Sequence, residues 1–230
     1  MPVLVKARCE IDTPAERADS PREKGLTAAG LRRLASKASR VGREELRVDV
    51  FKLAAAMLSR VLPQLGFNRT RTALLRATGM QIGARSLVMG PLELTGFGHM
   101  RDISIGQDSF ITGPVRMDLG AKVTIGNRVH VGQDVLLLTV DHEIGPPSHR
   151  CGPRMLGEIV IEDGVWIGSR VTILPGTVVK KGAIIAAGSV VTGDVPANKL
   201  VAGVPARVVR HLDDDVAPAS TRRRLTPMQR

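Results

Sequence analysis

Between residues 161 and 196 the chain reads in sixes: IEDGVW, IGSRVT, ILPGTV, VKKGAI, IAAGSV, VTGDVP. Every sixth residue is aliphatic: Ile161, Ile167, Ile173, Val179, Ile185 and Val191. Four residues after each comes a small or short side chain: Val165, Val171, Thr177, Ala183, Ser189 and Val195. With 43% of the chain hydrophobic, chance would fill six such positions in one register about 0.6% of the time. A helix repeats every 3.6 residues and a strand every 2, so neither explains a period of six. The period suits a chain that runs straight for a few residues, turns, and repeats, three sides making one coil. One aliphatic side chain per side then points inward and stacks on its equivalents in the coils above and below. The second column falls near the corners, where a bulky group has no room. Such repeats bury a continuous core only by stacking. The predicted fold is therefore an all-β solenoid.

The pattern begins earlier and less regularly. Ile82, Val88, Leu94 and Met100 keep the spacing, as do Ile105, Ile111, Met117 and Val123; the register then slips by two and continues at Ile125, Val131 and Leu137. The slip predicts a bulge or an altered corner. Residues 140–158, VDHEIGPPSHRCGPRMLGE, break the repeat and read as a loop thrown out of the coil. A long loop in a compact repeat is usually functional. Ahead of the coil, Val50, Leu53, Ala54, Met57, Leu58, Val61 and Leu62 fall at helical spacing and end at Pro63. A second short helix is predicted over 69–78, ending at Gly79. Both are expected to pack on the first coil and cap its open end, since an uncapped coil exposes strand edges. The predicted organisation is a disordered or loosely attached extension over 1–45 and a helical cap over 46–80. The solenoid follows over 81–210, with its inserted loop at 140–158, and then a disordered basic tail over 211–230.

The formal net charge of +11 raises the question of nucleic acid or an anionic surface. Its placement narrows the answer. The solenoid is nearly neutral, while residues 51–80 hold five Lys/Arg and no Asp/Glu. Trp166 and four Phe are the only aromatic residues, which argues against stacking on single-stranded nucleic acid. The basic residues of 51–80 read as solvated charge, with weak contact to a membrane surface as the remaining interpretation. No apolar stretch is long enough to span a bilayer, and the N-terminus lacks the layout of a signal peptide. Cys9 and Cys151 are far apart and unlike in context. They predict no disulfide framework and a reducing, cytoplasmic setting.

His142, in TVDH at the root of the expelled loop, is the main candidate for chemistry. An imidazole titrates near neutrality and can accept a hydroxyl proton, although a loop histidine is commonly a plain surface residue. Three features taken together change that reading: the repeat, the loop histidine followed by VWIGS at 165–169, and the ending VAGVPARVVR at 201–210. From about Gly79 to Arg210 the sequence resembles the hexapeptide-repeat O-acetyltransferases, such as the galactoside, maltose, nodulation-factor and streptogramin acetyltransferases. The resemblance implies a left-handed parallel β-helix with an N-terminal helical cap, assembled as a homotrimer. It implies acetyl-CoA as co-substrate, a hydroxylated small-molecule acceptor such as a sugar or glycan precursor, and no metal or nucleic acid. His142 takes the catalytic place, as general base in a ternary complex. Trp166, Ser169, Ala187, Thr192 and Gly193 fall where that family meets the cofactor, and Arg207 and Arg210 where it meets the nucleotide phosphates; a backbone N–H near Ser169 is the candidate oxyanion donor. An orienting role for Asp141 follows only weakly, because adjacent side chains rarely face one another.

The sequence also departs from the family. The acceptor-binding Asn is replaced at or near Thr112, which leaves Asp118 as the nearest acidic candidate for acceptor hydroxyls. The N-terminal acceptor-binding segment of the galactoside and maltose enzymes has no match in 1–78. Two other readings stay open. Asp141, His142, His149 and Cys151 are ligand types close in sequence, and the γ-class carbonic anhydrases share the fold. Their paired histidines on one coil have no counterpart, since only His99 and His130 lie in the repeats. A non-catalytic scaffold of stacked coils is the third reading, and it leaves the His142 loop unexplained.

Overall fold

The structure, a computed structural model, describes residues 50–63 and 66–212. The expectation for 1–45 lies outside those residues, as does that for 211–230 except at His211, which ends a strand, and Leu212. Short strands, numbered β1 to β19 in chain order, stack into three sheets that form the sides of a triangular coil, with β10 and β11 paired apart from them. Face A holds β1 (Gln81–Ile82), β4 (Ile103–Ile105), β7 (Val123–Ile125), β12 (Ile159–Ile161) and β15 (Val178–Val179). Face B holds β2 (Leu87–Met89), β5 (Phe110–Thr112), β8 (His130–Val131), β13 (Trp166–Ile167), β16 (Ile184–Ile185) and β18 (Lys199–Ala202), with β19 (Arg207–His211) antiparallel at its end. Face C holds β3 (Leu92–Thr95), β6 (Val115–Asp118), β9 (Val135–Leu137), β14 (Thr172–Ile173) and β17 (Val190–Val191). Pairing between coils is parallel and in register, and the fold is a left-handed parallel β-helix.

The two columns of the hexapeptide repeat are the inside of the coil. Leu137, Ile173 and Val191 lie in register on face C; Val131, Ile167, Ile185 and Val201 do so on face B. All are buried. The short side chains of the second column, from Val165 to Val195, are buried as well and fill the corners. A fully buried aliphatic side chain contributes about 1.5–3 kcal/mol, so the stacked columns supply most of the driving force. Buried hydroxyls satisfy corner backbone groups between coils. Ser86 Oγ accepts from Ser109 N (2.9 Å), and Ser109 Oγ accepts from Val129 N (3.0 Å) and donates to Gly126 O (2.9 Å).

The open end of the first coil is capped by α1 (Val50–Val61) and α2 (Asn68–Ala77). Side chains of these helices take up strand-edge groups that no further coil is there to meet. Thr72 Oγ1 accepts from Val88 N (2.9 Å), Ser59 Oγ donates to Leu92 O (3.3 Å), and the Arg76 guanidinium donates to Ile82 O (2.9 Å) and Gly83 O (2.7 Å). Arg71 is buried and donates to Leu62 O and Pro63 O, closing the end of α1, while burial lowers its pKa from the usual guanidinium value.

One expectation is corrected here. The apolar stripe of the first helix does not turn inward as a unit. Among its described side chains Ala55 and Ser59 are the buried ones of this helix, while Val50, Leu53, Met57 and Val61 are 51 to 76% exposed. The small side chains let α1 lie close on β3, near enough for the Ser59 bond, and Val50, Leu53, Met57 and Val61 remain outside.

Inward residues stay six apart except at one corner, between faces C and A. There the steps from Leu94 to Ile105, from Met117 to Ile125 and from Leu137 to Ile161 exceed six, whereas Ile173 to Val179 keeps it. The register slip is thus an altered corner. Val123 and Ile125 both point inward from β7, two residues apart on a pleated strand. The surplus residues of three successive coils are stacked at that corner.

Candidate active site

The largest surplus, predicted as a loop, is a two-stranded antiparallel hairpin of β10 (Val140–Ile144) and β11 (Cys151–Leu156). Its root is fixed by Thr139, which is fully buried. Thr139 Oγ1 accepts from Gly120 N (2.9 Å) and Ala121 N (3.1 Å) and donates to Asp118 O (2.7 Å), tying the hairpin to the corner of the coil before it. His142 is exposed on β10. Its Nδ1 lies 2.8 Å from Gly152 O. A backbone carbonyl can only accept, so this bond requires the proton on Nδ1, and in the neutral ring Nε2 then carries the lone pair. Asp141 accepts from the backbone N–H of His142 (2.7 Å). It braces the backbone, and the Gly152 carbonyl orients the ring.

Directly opposite residues of an antiparallel pair project to the same side. Val140 faces Leu156 and His142 faces Arg154, so these four share one side of the hairpin. Three of them, Val140, Leu156 and Arg154, line a cavity of about 410 Å³ whose other walls are Gly96, Phe97, Gly98, Asp118 and Gly120. All three corner surpluses contribute to it. The Arg154 guanidinium sits over the Phe97 ring at 5.2 Å, while Phe97 remains 80% exposed. The cavity joins apolar walls, one aromatic ring, one carboxylate and one guanidinium beside His142. Phe97, Arg154 and the Gly152 carbonyl were not singled out from sequence. Their nearest signal there was the excess length of the same corner in successive coils.

The other sequence candidates are spread over the coil. Thr112 ends β5 on face B, so all of face C separates it from the His142 corner within one chain. Ser169 and Ala187 are exposed at the corner between faces B and C. The backbone there passes so closely that a Cβ on Gly168 would lie 2.6 Å from Ala187 N. Thr192 and Gly193 follow β17 at the corner between C and A. Trp166 projects from face B and is 57% exposed. It pairs with His130 and Ile184, with Phe110 beyond and its ring 5.0 Å from that of His130. Arg207 and Arg210 are exposed on β19, opposite Ala202 and Leu200. Positions 207 and 210 of a regular strand face opposite ways, but the register shift in this pair turns both arginines to one side.

Among the described residues no three His, Cys, Asp or Glu side chains converge as metal ligands. At the corner between faces A and B, Asp163 accepts from the backbone and side-chain N–H groups of Asn127. Those bonds hold its carboxyl below the usual carboxylate range. A larger cleft, about 760 Å³, lies between α2 and face B, lined by Arg69, Arg76, Arg85 and Phe110 among others. It shares no residue with the His142 corner.

Comparison with known proteins gives this architecture a family. Residues 158–193 match the bacterial transferase hexapeptide (six repeats). The chain is 32% identical over 144 residues to the galactoside O-acetyltransferase of Escherichia coli (strain K12), covering 63% of this chain and 70% of that enzyme. The chain belongs to the hexapeptide-repeat acetyltransferases. A hexapeptide-repeat-containing acetyltransferase from Vibrio cholerae superposes with a TM-score of 0.61 at 34% identity, over 76% of this chain and 90% of that one. The same Vibrio protein has been solved in complex with acetyl-CoA. A 2,3,4,5-tetrahydropyridine-2,6-dicarboxylate N-acetyltransferase of Staphylococcus aureus (strain bovine RF122 / ET3-1) is 45% identical over 91 residues, which are 40% of this chain and 34% of that enzyme. Family membership thus sets the reaction class, while relatives named for oxygen and for nitrogen acceptors both occur.

Proposed function

We propose that this protein transfers the acetyl group of acetyl-CoA to a hydroxyl of a small molecule such as a sugar, with His142 as general base. The observation that carries the reading is the bond between His142 Nδ1 and Gly152 O, which leaves Nε2 free to take a proton. In the reaction, Nε2 removes the acceptor's O–H proton as the oxygen attacks the thioester carbonyl. The tetrahedral oxyanion takes a hydrogen bond from the backbone N–H of Ser169. Collapse breaks the C–S bond, and the thiolate leaves with the proton from the imidazolium as CoA. The acceptor occupies the corner cavity, where Asp118 accepts from its hydroxyls and the open face of Phe97 packs on its C–H surface. Arg207 and Arg210, on one side of β19, hold the nucleotide phosphates of the cofactor.

His142 and Ser169 lie at different corners of the same coil, so one chain cannot bring them together. We therefore place the site between copies in a homotrimer, with the outward row Phe110, His130, Trp166, Ile184 and Leu200 of face B as a contact surface. In this arrangement Thr112 reaches the acceptor from a neighbouring copy.

The acceptor class is tested by following thiol release from acetyl-CoA with panels of sugars, other alcohols and amines. An O-acetyl product is cleaved by mild hydroxylamine and an N-acetyl product is not. Hydroxylamine-labile product supports the reading, and Asp118→Asn should raise the acceptor KM about tenfold, the loss of one hydrogen bond to a charged group. Stable amide product from amines alone would transfer the protein to the N-acetylating branch.

A further inference from the structure

A helix lying on the end of a coil should present polar residues to solvent, and α1 does the reverse. At about 100° per residue, Val50, Leu53, Met57 and Val61 fall within an arc of about 80°, opposite the buried Ala55 and Ser59. Four large apolar side chains therefore form a continuous exposed stripe on the outer side of the cap. Phe67, at the entry to α2, is exposed too. Arg60 flanks the stripe, whereas Arg69 and Arg76 of α2 line the cleft toward face B. Residues 50–80 contain five Lys/Arg and no Asp/Glu. The cap thus combines an apolar stripe, flanked by Arg60, with a segment whose sequence is basic.

We propose that the outer side of the cap docks this protein on an anionic membrane surface. The stripe of α1 enters the boundary between headgroups and acyl chains, and Arg60 beside it meets lipid phosphates. Charge argues for this occupant over the alternatives within the chain. Residues 1–49 hold eleven Lys/Arg against eight Asp/Glu, and residues 213–230 hold four against three. A second copy of the cap is as basic as the first. Each of these covers carries a net positive charge, whereas an anionic bilayer supplies the opposite sign. No described helix is long and apolar enough to cross a membrane, so the contact lies in the plane of the surface. The inference stands on the cap alone and does not depend on the acceptor or on the role of His142.

The test is flotation of the full-length protein with vesicles of phosphatidylcholine alone, or mixed with phosphatidylglycerol, at low and high salt. The expected result is binding to the anionic vesicles only, weakened by salt. Leu53→Glu with Met57→Glu should abolish binding, by at least tenfold, while the thermal melt is unchanged because both side chains face outward. Arg60→Ala gives an independent reading; an arginine near the surface is worth about fivefold in partitioning. Wild type that stays unbound, binds neutral vesicles equally, or binds undiminished in the Leu53/Met57 variant overturns the proposal. Loss of oligomeric mass in that variant, without vesicle binding by the wild type, would assign the stripe to a second copy instead.

Discussion

Replacing Ile173 by Ala tests the stacked core where it is most regular. Ile173 is fully buried, with Leu137 in register in the preceding coil and Val191 in the next. The substitution removes three buried carbons, about 2.4 kcal/mol at ~0.8 kcal/mol each. The void cannot collapse readily, because backbone bonds hold the coil on both sides: Leu138 N donates to Ile173 O and Leu174 N to Val191 O, each at 3.0 Å. A residual void of ~60 Å³ at ~24 cal/mol per Å³ adds about 1.4 kcal/mol. The expected loss is about 4 kcal/mol, or a fall in Tm of about 8–15 °C for a domain this size. Urea denaturation followed by circular dichroism at fixed protein concentration reads the change, with Lys180→Ala at an exposed corner as control, expected within about 0.5 kcal/mol. A loss below about 1.5 kcal/mol for Ile173→Ala, or equal losses for the two variants, would refute the register and the account of what holds the coil together.

Light scattering should give the mass of three chains, and a monomer at working concentration would dissolve the inter-subunit site. Arg210→Ala should raise the KM for acetyl-CoA about tenfold, the scale of one charge-assisted bond to phosphate, with kcat at saturation little changed; an unchanged KM would remove Arg210 from the cofactor site. The depressed carboxyl of Asp163 implies stability that is fully present above its unfolded pKa near 3.8 and is lost as pH falls through the lower folded value. The acid limb of a melting-temperature profile should therefore flatten in Asp163→Asn, and an identical acid limb would contradict the linkage.

The coil was legible in sequence because each inward position is one residue in six with almost no tolerance for polarity. Ile173 between Leu137 and Val191 is the register that the spacing implies. The hairpin was not legible. Its cross-strand pairs, such as His142 with Arg154, come from a stretch with three prolines and three glycines that carries no alternation. The cavity was hidden for a different reason: Phe97, Asp118 and Leu156 are far apart in the chain and meet only because surplus residues recur at the same corner. The orientation of α1 could not be read either. Its hydrophobic period defines stripes, but close approach to β3 selects the small Ala55 and Ser59 for the inner side. The ring partner of His142 is a backbone carbonyl, which any residue type at position 152 would offer.

The central claim is that His142 Nε2 is the base for acetyl transfer, and its most direct test is the turnover of His142→Ala beside its acetyl-CoA affinity. The side chain is exposed and, among the described residues, its ring bonds the Gly152 carbonyl, so the coil should melt as in the wild type. General-base catalysis contributes on the order of 10²–10⁴ in rate. The account predicts that kcat falls by at least ~100-fold while the Kd for acetyl-CoA, measured by calorimetry, stays within about twofold. Full turnover in His142→Ala would contradict it.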